Sequence, residues 1–299
     1  MSAHHTLRLG KYHGLGNDFL VMTHPLPDGL DPAEVARRAC HRHTGVGADG
    51  LVLASAPGPD GAELAMVLHN ADGSRAEMSG NGIRCLVHAA LDTEMINGGG
   101  TRSEQVSAGS GTRAVHLEVG GRVEVATDAG RRTVSLGVRA VNGAGGELRS
   151  SVTMGEVAAG DPAGVGDLIV RAGAHDGMAV DVGNPHVVLR FADRAAIDAA
   201  ATLIGGNLPE ANIELVAPGP DRGRIVMRVI ERGVGETMAC GTGACAAAWA
   251  ARKWGLALSD DAVMVHMPGG AATVSFAGDR ATLSGPSVRI GWIDWEVVC

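Results

Sequence analysis

The chain has 299 residues, of which 45% are hydrophobic and 19% are charged, and its formal net charge is −8 at pH 7. This length fits two domains of about 150 residues each, and the composition is typical of a folded protein rather than a disordered one. The acidic balance argues against nucleic-acid phosphates and anionic lipid, because both would be repelled. We therefore expect neither a nucleic acid nor a membrane as a partner.

Cysteine usage and the N-terminal sequence indicate the compartment. The five cysteines are an odd number at irregular spacing, which disfavours a disulfide framework. No cysteine or histidine pair has metal-ligand spacing, so we expect no metal. Residues 1–10 lack the apolar core of a signal peptide. The longest apolar helix candidate, 244–251, is too short to cross a bilayer, and the sequence predicts a cytoplasmic protein.

The first half of the chain predicts short strands and two helices. In order, the patterns indicate a helix at 32–41, strands at 51–53 and 64–68, a helix at 81–91, and a hairpin formed by 122–126 and 133–138. Asp31 before Pro32 is a favourable N-cap and first-turn pair. Residues 96–111, rich in Gly, Ser and Thr, predict a surface loop. The glycine-rich stretch 142–146 predicts a domain boundary.

The second half of the chain repeats this alternation. Strands are expected at 179–182, 186–190, 224–229, 263–266, 272–276 and 281–283, with helices at 194–203 and 242–254. The helices at 81–91 and 242–254 differ from the others because they are apolar on nearly every side. Such a pattern indicates a buried helix.

These two helices carry matched sequence landmarks. Each follows a glycine-rich step, and each has a polar residue nine positions before the step, Asn70 or Glu231. A second Gly-Asn landmark precedes each helix by about 60 residues. The matched segments are Gly16-Asn17-Asp18-Phe19 with Gly183-Asn184-Pro185-His186, and Ser79-Gly80-Asn81-Gly82 with Cys240-Gly241-Thr242-Gly243. Three landmarks in the same order predict a duplicated domain.

The segment around Cys240 is the strongest chemical signal. A thiol directly before a glycine-rich helix start lies where the helix dipole and free N–H groups favour an anion. We expect its pKa to be lowered, into a range of roughly 3.5–7.5. The same N–H groups can bind a substrate carboxylate. The alternative is a buried cysteine at a tight helix entry, with no chemical role.

Ser79 begins the matching helix. By itself, Gly80-Asn81-Gly82 is most simply a turn, but its pairing with Cys240 suggests two helix N-termini that converge on one anion. If the anion is an α-amino acid carboxylate, the Cα proton lies between position 79 and Cys240. Removing a proton on one face and returning one on the other inverts the centre, and the helix N-termini stabilise the charge that develops. No lysine has a recognisable cofactor setting, so no pyridoxal phosphate or other cofactor is expected.

Together these motifs resemble the diaminopimelate epimerase family along nearly the whole chain. The matching segments are 12–19, 43–50, 70–85, 154–156, 183–186, 211–213, 231–247, 267–270 and 284–286. The resemblance implies an α/β (α+β) fold with two pseudo-symmetric lobes, each a curved mixed β-sheet or barrel around a central buried helix. We expect one lobe from 1–147 plus 286–299 and the other from 148–285, with the active site in the cleft between them.

The resemblance also implies an activity and a set of site residues. The family converts LL-diaminopimelate to the meso form in lysine and peptidoglycan synthesis, and a homodimer is expected. By matched position, Cys240 and position 79 are catalytic, and His186 and Glu231 tune the thiols. The residues implied to bind substrate are Asn17, Asn70, Gly80, Asn81, Asn184, Asn212, Glu231, Arg232, Gly241 and Thr242. Arg232, expected to be buried, predicts a second charged group on the ligand.

Three departures from the family pattern leave the activity open. Ser79 stands where the family has its first catalytic thiol, Gly50 stands where many members carry a substrate-contacting Gln, and the segment 96–121 is longer than usual. Cys85 cannot replace the missing thiol, because it lies almost two turns down the helix and is expected to be buried. Ser79 fits a deliberate Cys→Ser change, a one-thiol lyase or dehydratase, or a racemase of another polar amino acid. A non-catalytic amino-acid-binding protein is a further alternative.

Overall fold

The computed structural model describes residues 4–57, 59–97, 104–109, 112–118, 120–142, 145–161, 163–204, 211–232, 235–258 and 262–298. The chain forms two compact units. Unit 1 comprises residues 1–14, 18–152 and 286–299, and unit 2 comprises residues 15–17 and 153–285. The chain therefore changes unit between Val152 and Thr153, five residues after the expected position, and the short segment 15–17 belongs to unit 2.

Unit 1 is a mixed sheet with two α-helices. Its strands are β1 (His4–Gly14), β2 (Asn17–Met22), β3 (Gly50–Ser55), β4 (Leu64–Asn70), β5 (Arg75–Ala76), β6 (Glu104–Gly109), β7 (Thr112–Glu118), β8 (Arg122–Thr127) and β9 (Gly130–Asn142), with the first part of β10 (Gly145–Glu156) and the last part of β19 (Arg280–Val298). Its helices are α1 (Pro32–Cys40) and α2 (Gly80–Asp92).

Unit 2 has the same kind of architecture with one more helix. Its strands are the end of β10, β11 (Ala158–Ala159), β12 (Asp176–Asp181), β13 (Pro185–Arg190), β14 (Asn212–Pro218), β15 (Arg224–Glu231), β16 (Gly235–Thr237), β17 (Val263–Met267), β18 (Gly270–Ala277) and the start of β19. Its helices are α3 (Val165–Ala172), α4 (Arg194–Ile204) and α5 (Gly241–Lys253). Among the described residues, no helix is both long and apolar enough to cross a membrane.

The strand registers of the two units match, which confirms the predicted duplication. In unit 1, β2 runs parallel to β3 with Phe19 opposite Gly50, and in unit 2, β13 runs parallel to β14 with His186 opposite Asn212. The next strand is antiparallel in both units, and the hairpin β8–β9 corresponds to β17–β18. The turns of these hairpins end at equivalent pairs, Thr127 with Gly130 and Met267 with Gly270.

Each sheet surrounds one buried helix. Every residue of α2 from Gly80 to Ala90 is buried, and so is every residue of α5 from Gly243 to Ala251. The small side chains of α5, mostly alanine, allow strands β12–β15, β17 and β18 to pack closely around it. Both predicted buried helices are therefore confirmed, and Cys85 is buried in α2 as expected.

The outer helices follow from local capping signals. The carboxylate of Asp31 accepts a hydrogen bond from the amide of Ala33, and Pro32 begins α1 as predicted. α1 buries Val35, Ala36, Ala39 and Cys40 against the core of unit 1. α4 is the equivalent helix of unit 2, because it connects the parallel strands β13 and β14 as α1 connects β2 and β3. It buries Ile197 and Ile204 in the core of unit 2.

Two expectations from glycine-rich composition are wrong. The described part of the predicted loop 96–111 contains β6, which pairs antiparallel with β7, and β7 in turn pairs with β9. Residues 98–103, 110 and 111 lie outside the described residues. The predicted boundary at 142–146 lies instead inside unit 1, where β9 ends at Asn142 and β10 begins opposite it at Gly145, and residues 143 and 144 lie outside the described residues. Of the glycines that the structure describes in these two places, Gly109 ends β6 and Gly145 begins β10, so they mark strand ends.

Candidate active site

Cys240 is the N-cap residue of α5. Its backbone is extended, with φ −123° and ψ 123°, and its sulfur accepts a hydrogen bond from the amide of Gly243 at 3.3 Å. The hydroxyl of Thr242 lies 3.4 Å from the same sulfur. A cap of this kind satisfies one of the free N–H groups at the start of the helix. The thiol is thereby held at the helix N-terminus, as the sequence predicted.

The surroundings of Cys240 oppose ionisation of its thiol. Burial raises its pKa well above the ordinary value, and the carboxylates of Glu231 and Glu214 raise it further. The hydrogen bonds from Thr242 and Gly243 act in the opposite direction but are the smaller effects. The expectation of a lowered pKa is therefore wrong for this state of the protein, because desolvation and two acidic neighbours outweigh the helix N-terminus.

A chain of three hydrogen-bonded side chains, two of them fully buried, lies beside this helix start. Nδ1 of His186 lies 2.7 Å from Oε1 of Glu214, and neither side chain is exposed to solvent. Nε2 of His186 lies 3.0 Å from Oδ1 of Asn184. Both ring nitrogens are thus engaged, and an ionised Glu214 requires the proton on Nδ1.

Glu214 lies outside the sequence motifs that predict the site, one residue beyond the matched segment 211–213. The signal was present in the sequence, because Glu214 is a single charged residue within the apolar strand β14, and a buried charge needs a partner. Its partner His186 is 28 residues away in sequence, so local spacing does not reveal the pair. The parallel pairing of β13 with β14 brings the two together.

The end of β15 carries the predicted ligands of the distal substrate group. The hydroxyl of Thr237 donates to Oε1 of Glu231 at 2.5 Å, and the side-chain oxygen of Asn212 accepts from the amide of Arg232 at 2.9 Å. Asn212 therefore positions the backbone at Arg232. The side chain of Arg232 is exposed, and the expectation of a buried guanidinium is wrong.

Ser79 caps α2 in the same way that Cys240 caps α5. Its backbone is extended, with φ −136° and ψ 124°, and its hydroxyl oxygen accepts from the amide of Gly82 at 3.0 Å. Asn81 is buried in the first turn, and its side-chain oxygen accepts from the guanidinium of Arg84 at 2.5 Å. Arg84 is fully buried. The start of α2 at Ser79 therefore has a cation nearby, whereas the start of α5 at Cys240 has carboxylates nearby.

The remaining predicted residues of unit 1 surround the β3–β4 pair. Asn70 is exposed at the end of β4, donates to the hydroxyl of Ser74 at 3.0 Å, and lies opposite Gly50. A Cβ atom at Gly50 would lie only 2.7 Å from the carbonyl oxygen of His69. This backbone leaves no room for the Gln that many family members carry there. Asn17 begins β2, immediately after a left-handed turn at Leu15 and Gly16.

The matched registers show that the two helix starts differ in chemistry. Phe19 occupies the position of His186. On the neighbouring strand Gly50 corresponds to Asn212, so Val52, two residues further on, occupies the position of Glu214. A Cβ atom at Gly82 would lie 3.5 Å from the Phe19 ring, whereas one at Gly243 would lie 2.5 Å from Oε1 of Glu214. At these two matched positions, the side chains near Cys240 are titratable and those near Ser79 are apolar.

Comparison with known proteins decides the family. The diaminopimelate epimerase family profile matches residues 9–158 and 178–290. The chain is 36% identical to diaminopimelate epimerase of Moorella thermoacetica, over 94% of this chain and 96% of that protein. It is 37% identical to diaminopimelate epimerase of Rhodococcus opacus, over 94% of each. The chain belongs to the diaminopimelate epimerase family.

Solved structures share the fold of this family at low sequence identity. A phenazine biosynthesis protein of the PhzF family from Bacillus anthracis superposes with a TM-score of 0.70 at 16% identity, over 97% of this chain and 99% of that one. A hydroxyproline epimerase from Agrobacterium vitis superposes with a TM-score of 0.58 at 15% identity, over 97% and 91% of the two chains. These two proteins therefore share the fold of this chain.

Within the described part of the chain, no group of three or more His, Cys, Asp or Glu side chains is arranged to hold a metal ion. Of the predicted site residues, Ser79 and Cys240 cap the two buried helices, whereas Asn70 and Glu231 end strands β4 and β15. Their roles in binding and catalysis stay predictions.

Proposed function

We propose that this protein converts LL-diaminopimelate to meso-diaminopimelate by moving the Cα proton without a cofactor, in lysine and peptidoglycan synthesis. The observation that carries this proposal is the repeated helix cap. Gly243 donates to Cys240, and Gly82 donates to Ser79, over 3.3 and 3.0 Å. Each cap presents one side-chain atom beside free N–H groups that suit a carboxylate. We propose that both helix starts act on one substrate.

Cys240 has the role of acid and base on one face of Cα. As a thiolate it removes the proton, and as a thiol it returns one. Backbone N–H groups of the two helix starts hold the reacting carboxylate, whose charge increases as the proton leaves. These donors belong to Gly80, Asn81, Gly241 and Thr242. His186 and Glu231 set the protonation of Cys240.

The distal amino and carboxylate groups of the substrate are assigned to a separate set of polar side chains. This set comprises Asn17, Asn70, Asn184, Asn212, Glu231 and Arg232. Arg232 provides a cation for the distal carboxylate, and its side chain is exposed. We expect calorimetry to detect diaminopimelate binding and no alanine binding. Equal affinities for diaminopimelate and alanine would contradict the assignment of these side chains to the distal groups of the substrate.

Ser79 limits the reaction on the opposite face. A serine hydroxyl is a far weaker acid than a thiol, and a helix N-terminus shifts a pKa by only a few units. Ser79 therefore cannot serve as an alkoxide base at neutral pH, although its hydroxyl can still donate a hydrogen bond. The protein as it stands is an impaired epimerase in this account.

The proposed function is tested by separating the diaminopimelate stereoisomers on a chiral column after incubation with the purified protein. Slow appearance of the meso form from the LL form is expected, and Cys240→Ala should abolish it. The reaction should proceed without added pyridoxal phosphate and with EDTA present. Unchanged conversion by Cys240→Ala would contradict the proposal.

Ser79 also favours a second candidate, a one-thiol lyase or dehydratase, or a racemase that acts on another polar amino acid. In the elimination reaction, Cys240 takes the Cα proton and the hydroxyl of Ser79 donates a hydrogen bond to a leaving group on Cβ. A diaminopimelate analogue with a β-hydroxyl group would then yield a keto acid and ammonia. Keto acid formation faster than inversion would favour the lyase, and inversion alone would favour the epimerase.

We further propose that the protein is a cytoplasmic homodimer, with neither nucleic acid nor membrane as a partner. The acidic net charge of −8 is consistent with the last two points. Light scattering of the purified protein at several concentrations gives its mass directly. A mass equal to the 30.4 kDa of one chain at all concentrations would contradict the homodimer.

A further inference from the structure

Asp49, directly before β3, has no role in the reaction described so far. Its carboxylate accepts a hydrogen bond from the amide of Asp18 at 3.0 Å, and its own amide donates to the carbonyl of Asp18 at 2.9 Å. Its carbonyl accepts from the amide of Ala71 at 3.0 Å. Asp49 therefore contacts two segments of chain, each of which directly follows a predicted substrate ligand, Asn17 or Asn70.

The two amides that Asp49 binds belong to the peptide groups after these asparagines. A peptide group is planar, so a hydrogen bond that fixes its orientation also fixes the ψ angle of the residue before it. The bond to the Asp18 amide thus sets the backbone at Asn17, and the bond to the Ala71 amide sets it at Asn70. One residue fixes both.

We propose that Asp49 is a positioning residue that holds Asn17 and Asn70 at a fixed spacing, so that their side chains bind the distal groups of the substrate together. Asp49 acts through the two asparagines and not on the reacting atoms. The inference rests on the proposed function in one respect, that these asparagines bind the distal amino and carboxylate groups.

The segment before Asp49 is held against the end of α1. The amides of Val46 and Gly47 donate to the carbonyl of Ala39 at 2.8 and 3.0 Å. Nζ of Lys11 donates to the carbonyl of Gly47 at 2.5 Å. Gly47 has a φ of +80°, which a residue with a side chain rarely adopts. The place of Asp49 is therefore set by backbone contacts, independently of its own side chain.

Two cations neutralise the carboxylates of Asp18 and Asp49. Nη2 of Arg42 lies 2.8 Å from Oδ1 of Asp18 and 2.6 Å from Oδ1 of Asp49. Nζ of Lys11 lies 3.1 Å from Oδ2 of Asp18. Burial acts to raise the pKa of Asp18, but the bonds from Arg42 and Lys11 outweigh it and lower the pKa. Asp18 stays ionised at neutral pH, so Arg42 keeps an anionic partner even without the carboxylate of Asp49.

The matched positions of unit 2 cannot form the same bond. Pro185 occupies the position of Asp18 and has no amide hydrogen, and Ala211 occupies the position of Asp49 and has no carboxylate. The ring of Pro185 restricts the chain after Asn184 without a hydrogen bond. The carboxylate contact is therefore particular to unit 1, and the repeated fold by itself does not require it.

The first measurement is hydrogen exchange of the Asp18 amide, followed by NMR in the full-length protein without any amino acid. Asp49→Ala should speed this exchange by about tenfold or more relative to the amide of Leu20 on the same strand, because it removes the acceptor. Asp49→Asn keeps a side-chain oxygen and should stay close to the unsubstituted protein. Asp128→Ala is the matched control, since Asp128 has a similar exposure and pairs with Arg75, and it should change nothing at Asp18.

The second measurement is the affinity for LL-diaminopimelate by calorimetry. Asp49→Ala should weaken binding by about tenfold, Asp49→Asn by much less and Asp128→Ala not at all. Because Asp49 acts through the asparagines, the costs should not add. Asn17→Ala should lose less affinity in the Asp49→Ala protein than in the unsubstituted one. A purely structural role of Asp49 would leave the cost of Asn17→Ala the same in both.

Three results would overturn the proposal. They are an unprotected Asp18 amide in the unsubstituted protein, whether or not Asp49→Ala folds, an unchanged exchange ratio of Asp18 to Leu20 in Asp49→Ala, and an equal cost of Asn17→Ala in the two backgrounds. Absence of diaminopimelate binding by the unsubstituted protein would instead contradict the proposed function. The exchange measurement needs no ligand, so the two failures are distinguishable.

Discussion

The backbone amide of Gly243 donates a hydrogen bond to the sulfur of Cys240 at 3.3 Å. The same bond in the other copy joins Gly82 to the hydroxyl of Ser79 at 3.0 Å. The backbone of the two caps is thus equivalent, and the atom presented at each cap is the difference. A change of that one atom should therefore change the chemistry without changing the fold.

Ser79→Cys should increase the rate of stereoinversion by about 10²–10⁴-fold, because it supplies a titratable group on the second face of Cα. The cap geometry should persist, since a sulfur at Cys240 accepts the equivalent bond. The measurement is the rate of LL-to-meso conversion for the two proteins side by side. The double variant Ser79→Cys with Cys240→Ala is the control and should be as slow as Cys240→Ala alone.

Gly243→Ala should impair the reaction more than Gly82→Ala. The new Cβ at 243 would lie 2.5 Å from the buried Glu214 carboxylate, whereas the one at 82 would lie 3.1 Å from Cβ of Ser79. Glu214 has no solvent to move into, so its bond to His186 should break. We expect a loss of at least tenfold in Cα exchange for Gly243→Ala and a smaller loss for Gly82→Ala. Equal losses in the two variants would contradict this account of Gly243.

Asp92 is the anchor at the C-terminal end of α2. Its buried carboxylate accepts from the hydroxyl of Tyr12 at 2.7 Å and from Arg289 at 2.9 Å, and it also pairs with Arg139. Asp92→Ala should lower the free energy of unfolding by about 3–5 kcal/mol, since it leaves two poorly solvated guanidinium groups without their anion.

Asp294→Ala is the matched control for this anchor. Arg8 and Asp294 form an ion pair at 3.0 Å in the same unit, but both side chains are more than half exposed. Its loss should cost less than about 1 kcal/mol. Urea unfolding of both variants measures the difference. Similar losses in the free energy of unfolding for the two variants would show that burial does not strengthen the ion pairs of Asp92.

His88 should make the protein less stable in acid. Burial lowers its pKa from 6.5 to about 4, an effect that Arg139 and Arg289 reinforce and Asp92 opposes. Between these two values the unfolded chain binds a proton that the folded chain does not, so stability falls as pH falls through this window. The contribution is about 2 kcal/mol between pH 7 and pH 5.

The check for His88 is urea unfolding at these two pH values for the unsubstituted protein and for His88→Gln. The variant should show the smaller loss of stability on acidification, by about the same 2 kcal/mol. Only the change in unfolding free energy between the two pH values is compared, so a difference in overall stability between the two proteins does not matter. An identical pH dependence in the two proteins would show that His88 is accessible to protons in the folded state.

Helices α2 and α5 could be predicted from sequence because their signals are local. Each begins after a small polar residue and a Gly-x-Gly step, and each continues as an apolar run. The strand registers then placed their matched landmarks at equivalent positions. The prediction lacks strands β1, β2 and β14. β2 and β14 are largely continuous apolar runs, which periodicity alone does not separate from buried helix, whereas β1 does alternate between polar and apolar residues from Thr6 to Leu9.

The features that escaped prediction depend on tertiary structure. The pKa of Cys240 is raised by burial, by Glu231 and by Glu214, and Glu214 comes from a strand distant in sequence. The contact between Gly50 and the carbonyl of His69 depends on strand pairing, as does the bond from Asn212 to the backbone of Arg232. A helix N-terminus alone predicts a lowered pKa, and only the packed structure shows that desolvation is the larger effect.

The most direct test of the central claim is incorporation of deuterium at Cα from heavy water, measured separately for LL- and meso-diaminopimelate. With one thiol at Cys240 and a hydroxyl at Ser79, exchange should occur in the isomer whose Cα hydrogen faces Cys240, with inversion far slower than exchange. Ser79→Cys should bring inversion up to the rate of exchange. Inversion by the unsubstituted protein as fast as by Ser79→Cys, or exchange that survives Cys240→Ala, would contradict the account.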